Sequence, residues 1–213
     1  MESAIEDSAW PGGVLLAAKG GNIFYHQGHG FHTYDRNKPI RSSDIFDLAS
    51  ITKAVATTSA IMKLVDQNKI KIDKPIVTYL PDFKGKKKKY KKQKSKITVK
   101  DLLAHSSGLP AFKQYYRMKK SKEVLLDSVY NTEPVKLIGD TTIYSDVGAI
   151  MLGELVEKVS GLSLKNYTDS LVFDPLGTNT TFFNPPKEKI HRIVPTEIDP
   201  NGNLIHGYVH DEN

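Results

Sequence analysis

DLASITKAVATTSAIMKLVDQNKIKI, residues 47–72, places a serine at the start of a long segment with regularly spaced apolar residues. These residues recur at helical spacing, which predicts a helix over 50–68. Ser50 lies in the first turn of this helix, and Lys53 follows three residues later. Side chains at positions i and i+3 share one face of a helix, so the Lys53 amine can reach the Ser50 hydroxyl. Ser50 is therefore either a helix cap or a nucleophile with its proton acceptor one turn away.

The start of a helix suits a nucleophilic serine. Its free backbone N–H groups and the positive end of its dipole stabilise an oxyanion. A lysine in a dry pocket has a lowered pKa and can accept the serine proton. A single Ser-x-x-Lys match is weak evidence, because 15 serines and 26 lysines in this chain predict about two matches by chance. The tetrapeptide alone therefore favours the cap.

The composition is that of an ordinary globular protein with room for one large domain or two small ones. The chain has 213 residues, of which 39% are hydrophobic and 25% are charged. No apolar run approaches the roughly 18 residues of a membrane span, and residues 1–13 lack the basic and apolar regions of a signal peptide. The absence of cysteine excludes disulfides, thiolate metal sites and cysteine nucleophiles.

The positive net charge comes from one short segment. Residues 84–96, KGKKKKYKKQKSK, contain nine lysines, and without them the net charge of +6 would become −3. Like charges at this density repel one another, which predicts a solvated, mobile surface loop. A nucleic-acid site more often has arginines and several interleaved aromatic residues, so no specific nucleic-acid partner is predicted. A polyanion-binding module built on the lysines stays an alternative.

The remaining pattern predicts an α+β fold with an unfinished sheet. Two strands near 13–27 are joined by a turn at Gly20-Gly21-Asn22. Helices are expected from about Thr98 to Gly108 and over 121–131, 146–160 and 163–172, and the chain is expected to be irregular from Pro185 on.

The histidines do not have the spacing of a metal site. His26, His29 and His32 recur every third residue, which puts alternate members on opposite faces of a strand. His206 and His210 are four residues apart, but the sequence around them has no helical pattern. Exposed or hydrogen-bonded histidines are expected in each case, and neither a metal nor a cofactor is predicted.

Four segments follow one another in an order that is more specific than the tetrapeptide. They are SITK (50–53), LLAHSSGLP (102–110), YSDVGAIMLGELVEKVSGLSL (144–164) and DPLGTNTTFFNPP (174–186). Together they resemble the serine β-lactamase and penicillin-binding-protein superfamily, in particular its class C-like branch. IHGYVHDEN (205–213) is also similar to the sub-group that is fused to glycoside hydrolase family 3 domains. The resemblance implies a β-lactamase/transpeptidase-like α+β fold, with an antiparallel sheet flanked by helices plus a mainly helical subdomain.

The resemblance implies catalytic roles for Ser50, Lys53, Tyr144 and Asp146. Ser50 would be the acylated nucleophile, Lys53 its proton acceptor, and Tyr144 the residue that passes a proton to the leaving group. Asp146 departs from the family, which usually has asparagine there, because an ionised carboxylate cannot donate a hydrogen bond to a substrate carbonyl. Near Lys53 it should raise the lysine pKa, so that Lys53 stays an ammonium and stabilises a tyrosinate at Tyr144, which becomes the base. This difference weakens the case for β-lactam and peptide substrates.

The resemblance covers most of residues 11–213. It implies a single domain at 1–213, with sheet strands and the nucleophile helix in 1–75 and a mainly helical and loop region in 76–213. The family's third motif, Lys-Thr-Gly or His-x-Gly, has no acceptable match, since HQG (26–28) lies in the N-terminal hairpin. The sequence is therefore expected to be about the N-terminal two-thirds of such a domain and inactive alone. Its incomplete sheet is expected to pair with a second chain or with a missing C-terminal segment.

Two functions remain for this fold. The first is a serine hydrolase that forms an acyl-enzyme at Ser50, with a D-amino-acid peptide, β-lactam or ester of the bacterial cell envelope as substrate. The alternative is a catalytically incomplete binding or regulatory pseudo-enzyme. The resemblance favours a periplasmic or envelope location, a small-molecule or peptidoglycan-type substrate, and a fused glycoside hydrolase domain in the full-length protein.

Overall fold

The computed structural model describes residues 1–85, 88–118 and 120–210, without the side chains of 88 and 89. The chain forms two compact units. Of the residues described, one unit contains 1–49 and 183–210, and the other contains Ser50–Phe182. The single domain predicted over 1–213 stays a prediction.

The first unit is built on the predicted hairpin. It begins with a short helix, α1 (Glu2–Glu6), which the sequence analysis missed because five residues are too few to show a period. Strands β1 (Gly12–Lys19) and β2 (Asn22–Gly30) pair in antiparallel register, and this part of the prediction is confirmed. Gly20 and Gly21 both have positive φ, as the tight turn between the strands requires.

The end of the first unit has more regular structure than the sequence indicated. A 3₁₀ helix covers Lys187–Arg192, and a small antiparallel hairpin pairs β3 (Glu197–Ile198) with β4 (Leu204–Ile205). The prediction of an irregular chain after Pro185 was wrong here, because two-residue strands are too short for an alternating pattern. Backbone hydrogen bonds join Ile45 to Arg192 and Val194.

The helix that follows Ser50 opens the second unit. The chain is helical from Ile51, widens into a π-helical segment at Lys53–Thr58 and continues as α2 (Ser59–Asp66). The Thr58 hydroxyl donates to the Lys53 carbonyl oxygen at 2.9 Å, five residues earlier, which satisfies a carbonyl of the widened turn. The predicted helix over 50–68 is confirmed, with its end two residues earlier.

The lysine-rich segment is not the mobile loop that was predicted. Residues 86–87 lie outside the described residues, but Lys88–Lys94 form helix α3. Lys94 is only 1% exposed, and its ammonium donates to the carbonyl oxygens of Tyr130 and Thr132 and lies 4.3 Å from the centre of the Phe83 ring. Burial against carbonyls and an aromatic face overrides the mutual repulsion of the lysines.

The other helices of the second unit largely follow the prediction. Helix α4 (Val99–Leu103) begins with a capping box between Thr98 and Asp101, but ends well before Gly108 because the chain turns through a positive φ at His105. The structure also contains α5 (Lys122–Tyr130), α6 (Asp146–Ser160) and α7 (Leu164–Thr168), with a π-helical continuation at Asp169–Phe173.

The core of the second unit lies between these helices. Helix α6 contributes Val147, Met151 and Leu155 at four-residue spacing, and all three are fully buried. They pack in a cluster with buried residues of the other elements, among them Ala60, Ile61, Leu64, Phe83, Leu102, Val129 and Tyr167. Among the described residues, no helix is both long and apolar enough to cross a membrane.

Candidate active site

Ser50 and Lys53 meet as their spacing predicted. The Lys53 ammonium donates a hydrogen bond to the Ser50 hydroxyl oxygen at 2.9 Å. Within the described part of the chain, the hydroxyl makes no hydrogen bond to a backbone N–H, so Ser50 does not act as a side-chain cap. The residue before it, Ala49, has a φ of 45°, a conformation that is costly for a residue with a Cβ and often found at functional sites.

Lys53 also faces the two residues at the start of α6. Its ammonium lies 2.9 Å from Asp146 Oδ1 and 5.1 Å from the centre of the Tyr144 ring. Burial by itself lowers the pKa of Lys53, but the nearby Asp146 and Tyr144 side chains outweigh it and raise the pKa above its ordinary value. The predicted effect of Asp146 on Lys53 is therefore confirmed in its direction.

The Lys53 ammonium compensates the negative charge of the Asp146 carboxylate. Oδ1 is shielded from solvent and has no well-aligned hydrogen bond within the described residues, so the nearby ammonium is its main compensation. Asp146 is also the first residue of α6, where the positive end of the helix dipole favours a negative charge. The contact is best described as an ion pair, since the ammonium lies close but off the hydrogen-bonding angle.

The entry to α6 is held by hydrogen bonds to a neighbouring loop. Ser145 caps the helix, because its hydroxyl accepts from the Gly148 N–H at 3.2 Å, and it donates to the Pro110 carbonyl at 2.6 Å. The Asp146 N–H donates to the Ala111 carbonyl at 2.7 Å. These contacts fix the turn from which the Tyr144 and Asp146 side chains reach Lys53.

The loop that follows α4 binds the segment before Tyr144. The Gly139 and Ile143 N–H groups donate to the carbonyl oxygens of Ser106 and His105, each at 2.9 Å. Gly108 has a φ of 75°, and its carbonyl accepts from the Val135 N–H at 2.8 Å. The LLAHSSGLP segment thus holds the part of the chain that leads to Tyr144 through backbone hydrogen bonds.

Tyr144 lies half-exposed beside this segment, with 52% of its surface accessible. Its ring contacts the His105 imidazole, with 4.7 Å between ring centres and a tilt of 43°. The Ser145 N–H donates to His105 Nδ1 at 3.0 Å. The structure therefore brings together all four predicted site residues, Ser50, Lys53, Tyr144 and Asp146.

The sequence analysis missed His105 as a member of this site. Its one signal was a histidine directly before the short polar and glycine-containing run Ser106-Ser107-Gly108. That signal gives no partner, because His105 and Tyr144 are far apart in sequence and no periodic pattern connects them.

The side chains of three other histidines have local partners. His32 Nε2 lies 2.8 Å from the buried carboxyl oxygen Oδ2 of Asp44, and His29 Nε2 lies 2.8 Å from the Tyr25 hydroxyl. His206 Nε2 contacts the Ile193 carbonyl oxygen at 3.0 Å. Across the described ranges, no group of three or more His, Cys, Asp or Glu residues could hold a metal ion.

Comparisons with known proteins identify the family of the chain. The family model described as Beta-lactamase matches residues 1–212. The chain is 32% identical over 238 residues to the "N-acetylmuramyl-L-alanine amidase" of Bacillus subtilis, covering 96% of this chain and 53% of that protein. It is 33% identical over 223 residues to a "Putative D-alanyl-D-alanine carboxypeptidase" of Escherichia coli K12, covering 97% and 51%. The chain spans about half the length of these curated relatives.

Solved structures confirm the predicted fold class. The octameric penicillin-binding protein homologue from Pyrococcus abyssi is 25% identical with a TM-score of 0.76, and the match covers 97% of this chain and 48% of that one. A class C beta lactamase from Rhodobacter sphaeroides has the same TM-score at 22% identity, covering 95% of this chain and 54% of that one. The second comparison supports the fold alone.

Proposed function

Because the chain belongs to the beta-lactamase family, we propose that it carries the nucleophile half of a serine hydrolase that forms an acyl-enzyme at Ser50. One observation carries the proposal: a single ammonium, that of Lys53, lies 2.9 Å from the Ser50 hydroxyl and 2.9 Å from Asp146, beside Tyr144. A structural serine needs only a capping bond, whereas a nucleophile needs a proton path and a charged group next to it.

The raised pKa of Lys53 bears on which residue accepts the proton of the Ser50 hydroxyl. An ammonium at neutral pH cannot accept the Ser50 proton, so we assign that role to Tyr144 in its phenolate form. The ammonium stabilises the negative charge that passes from Tyr144 to the Ser50 oxygen during attack. Ser50 Oγ forms the bond to the substrate carbonyl carbon, and the oxygen of that carbonyl takes the electron pair.

The collapse of this intermediate completes the acylation. The carbonyl reforms, the bond to the leaving group breaks, and Tyr144 returns its proton to the departing nitrogen or oxygen. Water then attacks the acyl carbon and gives a proton to Tyr144. The bond between this carbon and Ser50 Oγ breaks, Tyr144 returns the proton to Ser50 Oγ, and the carboxylic acid is released. Each proton that leaves the nucleophile is thus returned to a leaving group within one cycle.

The proposed substrates are D-amino-acid peptides, β-lactams or esters of the bacterial cell envelope. The names of the two curated relatives, an amidase and a carboxypeptidase, support cell-wall chemistry. Asp146 favours esters within this set, because its carboxylate cannot donate to the amide carbonyl of a peptide or β-lactam. A fused glycoside hydrolase domain in the full-length protein stays a prediction.

A second candidate, a binding or regulatory pseudo-enzyme of the same fold, is favoured by the ion pair between Lys53 and Asp146. An ammonium held by a carboxylate is less available to the nucleophile, and the family's asparagine would not hold it this way. In this case the fold would still bind a ligand, but Ser50 would not be acylated.

Active-site labelling separates the two candidates. The full-length protein is incubated with a fluorophosphonate and with a panel of β-lactams, and intact mass and peptide mapping locate the adduct. We expect one adduct at Ser50, its loss in Ser50→Ala, and no change in Ser42→Ala, which removes an exposed serine elsewhere. A folded protein that no probe acylates would favour the pseudo-enzyme, and labelling that persists in Ser50→Ala would disprove the assignment of the nucleophile.

A further inference from the structure

His105 holds the chain on both sides of Tyr144. Its carbonyl oxygen accepts from the Ile143 N–H at 2.9 Å, and its Nδ1 accepts from the Ser145 N–H at 3.0 Å. One residue thus binds the positions directly before and directly after the proposed base. The two bonds leave Tyr144 little freedom to change its backbone position.

The imidazole also contacts the Tyr144 side chain. The two ring centres are 4.7 Å apart, so the aromatic face of His105 limits where the phenol ring can lie. His105 adopts a φ of 55°, which is costly for most residues but better tolerated by histidine, asparagine and aspartate. This conformation lets the backbone and the side chain of His105 bind the same segment, residues 143–145.

The protonation state of His105 suits this role. Nδ1 must be unprotonated to accept from Ser145, which places the proton of the neutral ring on Nε2. Burial lowers the pKa of His105, the Lys53 charge lowers it further, and Asp146 opposes both. The charged and titratable groups around the ring, Lys53, Asp146 and Tyr144, therefore leave it a neutral acceptor at neutral pH.

We propose that His105 is a positioning residue, which fixes Tyr144 for proton transfer by binding the backbone on both sides of it and packing against its ring. This inference rests on the proposed function, since it assigns no chemistry to His105 itself. His105 acts through Tyr144 and does not contact the reacting atoms.

Three variants separate the contacts of His105. His105→Asn keeps an acceptor oxygen near the position of Nδ1 and tolerates the positive φ, but loses the ring. His105→Phe keeps a ring and loses the acceptor, and His105→Ala loses both. Each variant is also prepared in a Tyr144→Phe background, and its thermal unfolding midpoint is recorded alongside the rate.

The first readout is the rate of acylation by a fluorophosphonate in the full-length protein. We expect His105→Ala and His105→Phe to lower the limiting acylation rate about 10- to 100-fold with little change in probe affinity, and His105→Asn to recover most of the loss. In the Tyr144→Phe background, the same changes should alter the rate less than about twofold, because the residue through which His105 acts is gone. Equal losses in both backgrounds would overturn the proposal.

The second readout does not depend on catalysis. Exchange of the Ser145 amide hydrogen, followed by NMR, should be faster in His105→Ala and His105→Phe and unchanged in His105→Asn. Unchanged exchange in His105→Ala would overturn the proposal even if Ser50 is acylated as expected. Conversely, if Ser50→Ala is labelled as fast as the wild type, the proposed function fails while the exchange data still test the positioning of Tyr144.

Discussion

The charge of Lys53 determines what each neighbour in the site can do. Its ammonium balances Asp146, donates to Ser50 and lies against Tyr144, so any change at Asp146 reaches the nucleophile through one shared cation. Asp146 is therefore the residue at which the site is most sensitive to a substitution that preserves shape.

We expect Asp146→Asn to shift the alkaline limb of the pH–rate profile to lower pH. Asp146 contributes to the raised pKa of Lys53, so removing its charge lets the ammonium that the proposed reaction requires lose its proton at lower pH. The restored amide should also improve turnover of any β-lactam substrate, because it can donate to a carbonyl. The measurement is kcat/KM against pH for an ester and a β-lactam.

Asp66→Asn serves as the matched control, since it neutralises an exposed carboxylate at the end of α2. Its profile should overlay that of the wild type. If Asp146→Asn overlays as well, Asp146 is not coupled to the groups that titrate in the reaction.

Lys94 gives a stability that depends on pH. Burial lowers the pKa of Lys94 from 10.5 to about 8, against an opposing contribution from Glu133. The native state therefore releases this proton near pH 8, while the unfolded chain keeps it until about pH 10.5. The unfolded state binds more protons between these values, so the free energy of unfolding should rise with pH in this window, by about 3 kcal/mol at most.

The test compares Lys94→Met with Lys92→Met by urea unfolding between pH 7 and 10.5. Lys92 is an exposed residue of the same helix, so Lys92→Met removes the same charge without affecting a buried group. The free energy of unfolding should rise with pH in Lys92→Met, and this rise should be absent in Lys94→Met. Parallel pH curves for the two variants would show that Lys94 keeps its ordinary titration in the folded protein.

At the scale of elements, the loop after α4 links the core to the site. Helix α4 packs against α6 through buried residues such as Leu102 and Val147, while the loop that follows binds the backbone around Tyr144. A change in this loop should therefore affect both stability and the position of the proposed base.

Gly108→Ala is expected to be strongly destabilising, by more than about 3 kcal/mol. A Cβ at Gly108 would lie 2.2 Å from the Lys136 carbonyl oxygen, and the φ of 75° adds strain for any other residue. Because the Lys136 carbonyl belongs to the backbone and cannot rotate away, the loop with Gly108 and the loop with Lys136 would have to separate. Thermal unfolding and Ser50 labelling should both be impaired.

Gly139→Ala is the control that separates the steric clash from the conformational strain, because it introduces the strain alone. Gly139 has a φ of 77° but nothing within 4 Å of the added Cβ, so it should cost only the conformational strain, about 1 kcal/mol. Equal losses in the two variants would show that the close approach of Gly108 to Lys136 does not matter.

At the scale of the whole molecule, the β1–β2 hairpin has features of a sheet that needs a further strand. In the described part of the chain these two strands pair only with each other, and an isolated hairpin is marginally stable in water. Large apolar side chains are exposed along it, including Leu15, Leu16, Ile23 and Phe24. Such an edge is a template for pairing with another chain.

We expect residues 1–213, prepared alone, to self-associate through this hairpin. Phe24→Lys, at a position that is 71% exposed, should shift the equilibrium toward the monomer in sedimentation velocity. Leu176→Lys is the control, because that side chain is 72% exposed but belongs to the helical unit. A wild-type chain that stays monomeric at high concentration, or an equal effect of both variants, would contradict strand pairing.

The sequence by itself determined the features that depend on near neighbours. The contact between Ser50 and Lys53 follows from their i, i+3 spacing, and the limits of α6 follow from a capping serine at Ser145 and a left-handed Gly161. The β1–β2 hairpin follows from its glycine turn. In each case the residues that decide the structure lie within a few positions of one another, so their pattern is visible in the sequence.

Only the tertiary structure decided which distant residues meet. Nothing local distinguishes Lys94 from the other lysines of 84–96, yet packing against Phe83 and two carbonyls buries it. Likewise, His105 reaches Tyr144 only because two loops of irregular backbone bind each other. Such contacts depend on positive φ angles and backbone hydrogen bonds, which produce no periodic pattern in the sequence. They form only when the core has packed and has brought the two loops together.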